Sequence, residues 1–296
     1  MKRTAQFGSL KVGPGFPVRV IAAVNVSPES FYKGSVATTP GAISRRVAEA
    51  LEHGAEVIDV GAMSTAPYLK TEVTEEVEKL RIGAALRAIG RTEVTVSVDT
   101  VRAPVADFAL RNGASVVNDV SGLKNDERMA GVLKDHGASL LAMAHSTRIS
   151  NSRPITQVRE ALRETLRIAA RAGIQERRIV LDPGIGFFRE DGAGRAYSPQ
   201  RLMPWHAWDT SVLAELGELE VLGRPLCVGL SRKSFLGEIL KLEDPKDRLS
   251  GSLAATAIAV ANGTDMVRTH DVKETVQAVR VAEAILRRGR PAGRVS

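Results

Sequence analysis

The chain has 296 residues, 44% of them hydrophobic and 25% charged, enough to bury a large core and too apolar for default disorder. A net charge of +7 suits an anionic substrate, but the basic residues are scattered along helical stretches and aromatics are only 4%, which argues against a nucleic-acid surface. No apolar run has the length of a bilayer crossing, no apolar leader is visible and a single cysteine excludes an internal disulfide, so a cytoplasmic chain without a membrane partner is expected.

Short β-branched runs alternate with longer helical patterns along the chain. Strands are predicted over 18–26, 56–60, 94–98, 115–120, 139–143, 179–181, 226–230 and 266–269. Each is an apolar run without strict alternation, the pattern of a strand covered on both faces. Pro40 suits a first helical turn, followed by Ile43, Val47, Ala50 and Leu51 at helical spacing and Gly54 as a stop. Thr156 is the expected cap of a helix whose face carries Val158, Ala161, Leu162, Thr165, Leu166 and Ala169 and which ends at Gly173. An enlarged polar loop is expected over 189–204, then a helix over 205–216, and a last helix over 272–288.

Eight strand–helix units in succession predict a single-domain α/β fold over 1–296, the closed (β/α)₈ TIM barrel. An open doubly wound sheet is the competing architecture. It lacks its glycine-rich fingerprint here, because the first strand runs into Ser27-Pro28-Glu29-Ser30.

The strand ends carry Asn25, Asp99, Asn118, His145, Asp182, the turn Ser231-Arg232-Lys233-Ser234, Arg268 and His270. In a barrel such positions ring one mouth, although a polar residue closing a strand often only caps the next helix. Asp182, in Asp182-Pro183-Gly184, is also a residue that organises tight turns. Paired carboxylates on Asp99 and Asp182 suit a flat heterocycle with amidine-like N–H groups, since a carboxylate accepts two parallel hydrogen bonds. Glycoside hydrolysis, another use of paired acids, leaves the nearby cations and amides without a role. Arg232, Lys233, Arg268 and His270 are expected to form a cationic rim where such barrels frequently hold phosphate, with a surface histidine as the plain alternative for His270. Asn25 offers a neutral oxygen to Mg²⁺, the other places going to phosphate and water. Cys227 is expected in the core, and His53, His136 and His206 in solvent.

Taken together, the motifs resemble the dihydropteroate synthase family over nearly the whole chain. They are Asn25-Val26-Ser27-Pro28-Glu29-Ser30-Phe31, Asp59-Val60-Gly61 with Ser64-Thr65, Val98-Asp99-Thr100 and Asn118-Asp119. They continue through Asp182-Pro183-Gly184-Ile185-Gly186-Phe187, Ser231-Arg232-Lys233-Ser234-Phe235 and Arg268-Thr269-His270-Asp271-Val272. The resemblance implies a transferase that condenses 6-hydroxymethyl-7,8-dihydropterin diphosphate with p-aminobenzoate or a related aryl amine, releasing diphosphate. It implies that Asp99, Asn118, Asp182 and Lys233 face the pterin, with Asp99, Asp182 and Lys233 the catalytic set. Asn25, Arg268 and His270 would hold diphosphate and Mg²⁺, Phe187 would line the substrate, and Thr65 and Ser234 would lie near the amine and the departing diphosphate. A homodimer is implied as well.

Three departures stand out. Ala66 replaces an arginine usual in the family, Glu29 replaces an aspartate, and Met143-Ala144-His145 shifts a Met-His pair by one position. They raise the expectation of a modified amine, such as the ribofuranosyl-aminobenzene phosphate of archaeal methanopterin-type cofactors. A corrinoid-linked, pterin-dependent methyltransferase shares the barrel and its carboxylates but has Asn in place of Arg232-Lys233. A noncatalytic pterin-binding paralogue, motivated by Ala66, would not need the diphosphate residues retained here.

Overall fold

In the computed structural model, residues 3–27, 37–63, 73–90, 93–190 and 197–286 are described. The chain opens with an antiparallel hairpin of two short strands, β1 (Ala5–Phe7) and β2 (Leu10–Val12). Gly8 turns between them at φ +58°, where a Cβ would lie 2.4 Å from Thr95 Cγ2. That position needs glycine for both its conformation and its closeness to the barrel.

Eight parallel strands follow: β3 (Arg19–Asn25), β4 (Val57–Gly61), β5 (Thr95–Asp99), β6 (Val116–Asp119), β7 (Ser139–Met143), β8 (Ile179–Asp182) and, after a short parallel pair β9 (Phe188–Arg189) and β10 (Ser198–Pro199), β11 (Cys227–Gly229) and β12 (Met266–Thr269). Their order is β11, β12, β3, β4, β5, β6, β7, β8. The ring closes where Leu181 bridges Leu226 and donates its N–H to Pro225 O at 2.9 Å. Nine α-helices are found among the described residues: α1 (Pro40–Glu52), α2 (Glu75–Ile89), α3 (Ala103–Arg111), α4 (Met129–His136), α5 (Pro154–Ala172), α6 (Trp205–Ala214), α7 (Ser234–Leu240), α8 (Leu249–Ala261) and α9 (Val272–Leu286). None is long and apolar enough to cross a membrane.

Each strand splits its side chains between two apolar layers, which is why no alternation shows in the sequence. Val20, Ala22 and Val24 of β3, Ile58 and Val60 of β4, and Leu140 and Ala142 of β7 join the core under the helices. Ile21, Val57, Val116, Leu141, Val180, Cys227 and Met266 form a second cluster with Phe7 and Val12 of the hairpin. The hairpin therefore plugs the amino-terminal end of the bore. Ser139 Oγ pins it, accepting from Gly8 N at 3.1 Å and donating to Gln6 O at 2.9 Å.

Helix ends follow local chemistry. Thr39 caps α1, its Oγ1 accepting from Ala42 N, with Pro40 in the first turn. α5 starts at Pro154, two residues before the predicted cap Thr156, because proline's fixed φ already suits the first turn. Gly173 ends it in the left-handed conformation, φ +81°. α6 stops at Ala214 and a tighter 3-10 turn, Leu216–Leu222, continues. Of the loop expected over 189–204, residues 191–196 lie outside the described residues.

Candidate active site

Moving up each strand from the apolar plug, the inward positions turn polar. Two residues above Ile21 and Val57 lie Ala23 and Asp59, which pair in register, and above Val116, Val180 and Met266 lie Asn118, Asp182 and Arg268. The carboxyl ends of the strands thus bring Asn25, Asp99, Asn118, Asp182 and Arg268 to one mouth, as a parallel barrel requires.

Asp59 organises one half of it. Its Oδ2 accepts from Arg268 Nε at 2.6 Å and from Asn118 Nδ2 at 3.1 Å, and the side chain is fully buried. Arg268 Nη2 reaches Asp99 Oδ2 at 3.3 Å. Burial pushes the Asp99 carboxyl up to about 7, with Arg268 opposing and Asp59 reinforcing the rise. The sequence reading gave Asp59 no role of its own. Its signal was an acid inside an apolar strand, Val57-Ile58-Asp59-Val60, which demands a buried partner.

The other half centres on Lys233. Its Nζ donates to Ile185 O at 2.6 Å and lies 4.4 Å from the centroid of the Phe187 ring. Burial lowers its ammonium to about 8, while Asp182 and Asp209 act to raise it. Gly186 makes the arrangement possible, since at φ +87° a Cβ there would lie 3.0 Å from Lys233 Cδ. Asp182 serves the turn as well as the pocket. Its Oδ1 accepts from Gly184 N at 2.7 Å, and burial raises its carboxyl against the pull of that bond, Lys233 and Arg268. Phe187 stacks on Tyr197 with 5.8 Å between centroids, giving the mouth an aromatic wall.

Two members of the expected cationic rim behave differently. Arg232 is buried and turned away at φ +55°, its guanidinium gripping Asp271 at 2.7 and 2.9 Å and Pro245 O at 3.0 Å. It clamps the loop after β11 and takes no place in the rim. His270 is buried, not a surface histidine; burial and the charge of Arg268 lower its imidazole to about 3. Cys227 is buried in the lower layer with its thiol pushed well up by burial, as a core cysteine should be. His53 and His136 are exposed, the latter bonded to Asp107 Oδ1 at 2.7 Å. His145 is buried, and its carbonyl accepts from Lys124 Nζ at 2.7 Å.

Asn25 sits beside Gly61, its Oδ1 3.4 Å from where a Cβ would stand and Asp99 next to it. Among the described residues no three His, Cys, Asp or Glu side chains cluster to hold a metal. The donors fit a hard cation only if a ligand brings most of its oxygens, the habit of Mg²⁺ on phosphates. Ser234 Oγ accepts from Arg189 Nη2 at 3.0 Å. Thr65, with Glu29, Ser64 and Ala66, lies outside the described residues. A separate cleft of about 640 Å³, lined by Glu215, Glu218, Glu220 and Asn262, is distinct from this mouth.

Comparison with known proteins places this geometry in a family. A family model described as pterin binding enzyme matches residues 21–270. The dihydropteroate synthase of Bacillus subtilis is 32% identical over 274 residues, spanning 91% of this chain and 89% of that one. A solved Clostridium difficile dihydropteroate synthase, determined in the presence of pteroic acid, superposes with a TM-score of 0.81 at 31% identity, covering 93% of this chain and 98% of that one. The Xanthomonas albilineans enzyme with 4-aminobenzoic acid gives 0.82 at 30% identity, covering 97% and 99%.

Proposed function

Because the chain belongs to the dihydropteroate synthases of the pterin-binding enzyme family, we propose that its barrel mouth joins 6-hydroxymethyl-7,8-dihydropterin diphosphate to p-aminobenzoate or a close aryl amine. The observation that carries the site assignment is the convergence of Arg268, which donates to both Asp59 and Asp99, with Lys233 and Asp182 at one mouth.

The pterin lies in the bore with its amidine-like edge on Asp182 and Asn118 and its carbonyl toward Lys233. Asp99 accepts from the ring N–H groups. As the methylene C–O bond breaks, the two bonding electrons leave with the diphosphate and positive charge spreads from the methylene into the ring. Asp99 and Asp182 stabilise that charge. Arg268 receives the diphosphate in its fork, and His270 contributes a hydrogen bond. The amine nitrogen then closes the C–N bond and gives up its proton to water or diphosphate. Magnesium, when bound with the diphosphate, would supply charge neutralisation, and Asn25 would help to hold it. Phe187 packs against the substrates, and Ser234 lies toward the amine.

The working form is a homodimer. α8 and α9 pack side by side and expose Ile258, Val281 and Ile285, an apolar face suited to a second copy of the chain. Sedimentation of the wild type against Val281→Glu tests it. The synthase reading is tested by diphosphate release from the dihydropterin diphosphate. Release that depends on an aryl amine supports it; no such release with p-aminobenzoate or any other aryl amine overturns it.

A further inference from the structure

Lys233 reaches the mouth on a long flexible stem, so its ammonium must be fixed by what surrounds it. Its two contacts, Ile185 O at 2.6 Å and the Phe187 ring at 4.4 Å, belong to one turn after β8. Buried acids hold that turn at two points. Asp182 Oδ1 accepts from Gly184 N at 2.7 Å, and Asp209 Oδ1 accepts from Gly186 N at 2.8 Å. Gly186 is also the residue against which the lysine stem packs, with Lys233 Cδ 3.0 Å from where a Cβ would stand. The first acid closes a barrel strand. The second comes from α6, outside the barrel, and is fully buried.

The sequence Trp205-His206-Ala207-Trp208-Asp209 explains how α6 delivers an acid there. Residues three and four apart share a helix face, so Trp205, Trp208 and Asp209 turn together toward β9. Trp208 stacks on Phe188 with 5.1 Å between centroids, and the Arg189 guanidinium lies 4.2 Å from the centroid of the Trp205 ring. Arg189 Nη1 then stands 3.6 Å from Asp209 Oδ2, with 11% of the arginine side chain exposed and none of the acid. A buried carboxylate needs charge compensation, and two cations are close enough to give it. Arg189 Nη2 and Lys233 Nζ lie 3.7 and 3.3 Å from where the Gly186 Cβ would stand. Burial pushes the Asp209 carboxyl up to about 6, so it is charged in the range where Lys233 titrates. The charged groups facing Lys233 are Asp182 from β8 and Asp209 from α6, which hold its proton, and Arg189 from β9 and Arg268 from β12, which oppose it.

We infer that Asp209 is a positioning residue for the pterin lysine: its carboxylate fixes the Gly186 turn against which Lys233 packs and keeps a negative charge behind the ammonium, with Arg189 as the opposing charge. The inference rests on the synthase reading and adds to it a pair, Asp209 and Arg189, that acts through Lys233.

The test is the pH dependence of kcat/KM for the dihydropterin diphosphate at saturating p-aminobenzoate. The proteins are wild type, Asp209→Asn, Asp209→Ala and Arg189→Gln. Asparagine still accepts from Gly186 N but carries no charge. Asp209→Asn should therefore move the alkaline limb down by about one pH unit, the low end for loss of a nearby opposite charge. That shift reads as a loss of about fivefold near pH 8 and little loss at about pH 6.5, whereas a merely structural defect would cost the same at both. The KM for p-aminobenzoate should not move. Asp209→Ala should add a pH-independent loss of about tenfold, because it also removes the hydrogen bond that holds the turn. Arg189→Gln should move the alkaline limb the other way, upward, and it carries the comparison if the Asp209 variants fold poorly. In a Lys233→Arg background, where that limb is gone, Asp209→Asn should shift nothing. An unshifted limb in both Asp209→Asn and Arg189→Gln, or limbs that move in the same direction, would overturn this inference and leave the synthase reading standing. Absence of amine-dependent diphosphate release in wild type would remove both.

Discussion

Arg268 Nε donates to Asp59 Oδ2 at 2.6 Å, reaching from β12 past the intervening β3 to β4. The same Asp59 oxygen accepts from Asn118, so one buried acid aims two side chains at the barrel mouth. Breaking a buried pair from one side leaves the other charge uncompensated, which costs about 3–5 kcal/mol when nothing else compensates. Asp99 remains beside Arg268 and softens that cost. Asp59→Asn should lower kcat/KM for the pterin diphosphate by about tenfold and Asp59→Leu by about a hundredfold, magnitudes that correspond to roughly 1.4 and 2.7 kcal/mol of lost transition-state binding. Full activity in Asp59→Leu would show that Arg268 needs no such partner.

Activity should be confined to a narrow pH window. Asp99 must be ionised to accept from the pterin and titrates near 7, so activity falls as pH drops through that value. Lys233 must be protonated to donate and titrates near 8, so activity falls as pH rises through it. The profile of kcat/KM for the pterin diphosphate in the free enzyme should be a tight bell, its limbs apparent values for coupled groups. Lys233→Arg should remove the alkaline limb, since a guanidinium stays charged throughout the range. A flat wild-type profile between about pH 6 and 9 would contradict the assignment of these two groups.

Arg232 contributes to stability and not to ligand charge. Its pair with Asp271 is nearly closed to solvent, with the side chains 7% and 12% exposed. Arg232→Ala should cost about 3 kcal/mol in denaturant unfolding, the lower end for one-sided loss of a buried pair. The KM for the pterin diphosphate in the remaining folded enzyme should move little. A large rise in that KM without loss of stability would return Arg232 to the cationic rim.

The hairpin plug makes a similar separation possible at the far end of the barrel. Phe7 is fully buried in the lower apolar layer. Phe7→Ala should destabilise the fold by about 3–5 kcal/mol through lost burial and the cavity left behind. Substrate constants should be preserved below the new melting temperature, because the apolar layer of Ile21, Val57, Val116, Val180 and Met266 separates the plug from the mouth. Thermal unfolding combined with kinetics at low temperature checks both halves of this expectation.

The barrel was legible because its strands are long enough and apolar enough to stand out. The run predicted over 18–26 became Arg19–Asn25, and 266–269 became Met266–Thr269 without change. The hairpin was not legible, since Ala5–Phe7 and Leu10–Val12 are too short to show a period and owe their existence to the bore they fill. The same divide holds in the site. Asp99, Asn118, Asp182, Lys233 and Arg268 close strands or turns, where position alone marks them. Arg189 lay inside a stretch read as loop and Asp209 on a helix read as ordinary, and their pairing depends on how α6 packs against β9, which no local pattern encodes. The inward turn of Arg232 was equally hidden, because its partner Asp271 is brought to it by a neighbouring strand.

In the proposed function, acids and a lysine at one rim hold the pterin while Arg268 holds its anion. Calorimetric titration of the dihydropterin diphosphate into wild type, Asp182→Asn, Lys233→Ala and Arg268→Ala tests it most directly. Each variant should bind at least about tenfold more weakly than wild type, the loss expected for one hydrogen bond to a charged or strongly polar group. Wild-type affinity retained in both Asp182→Asn and Lys233→Ala would contradict the account.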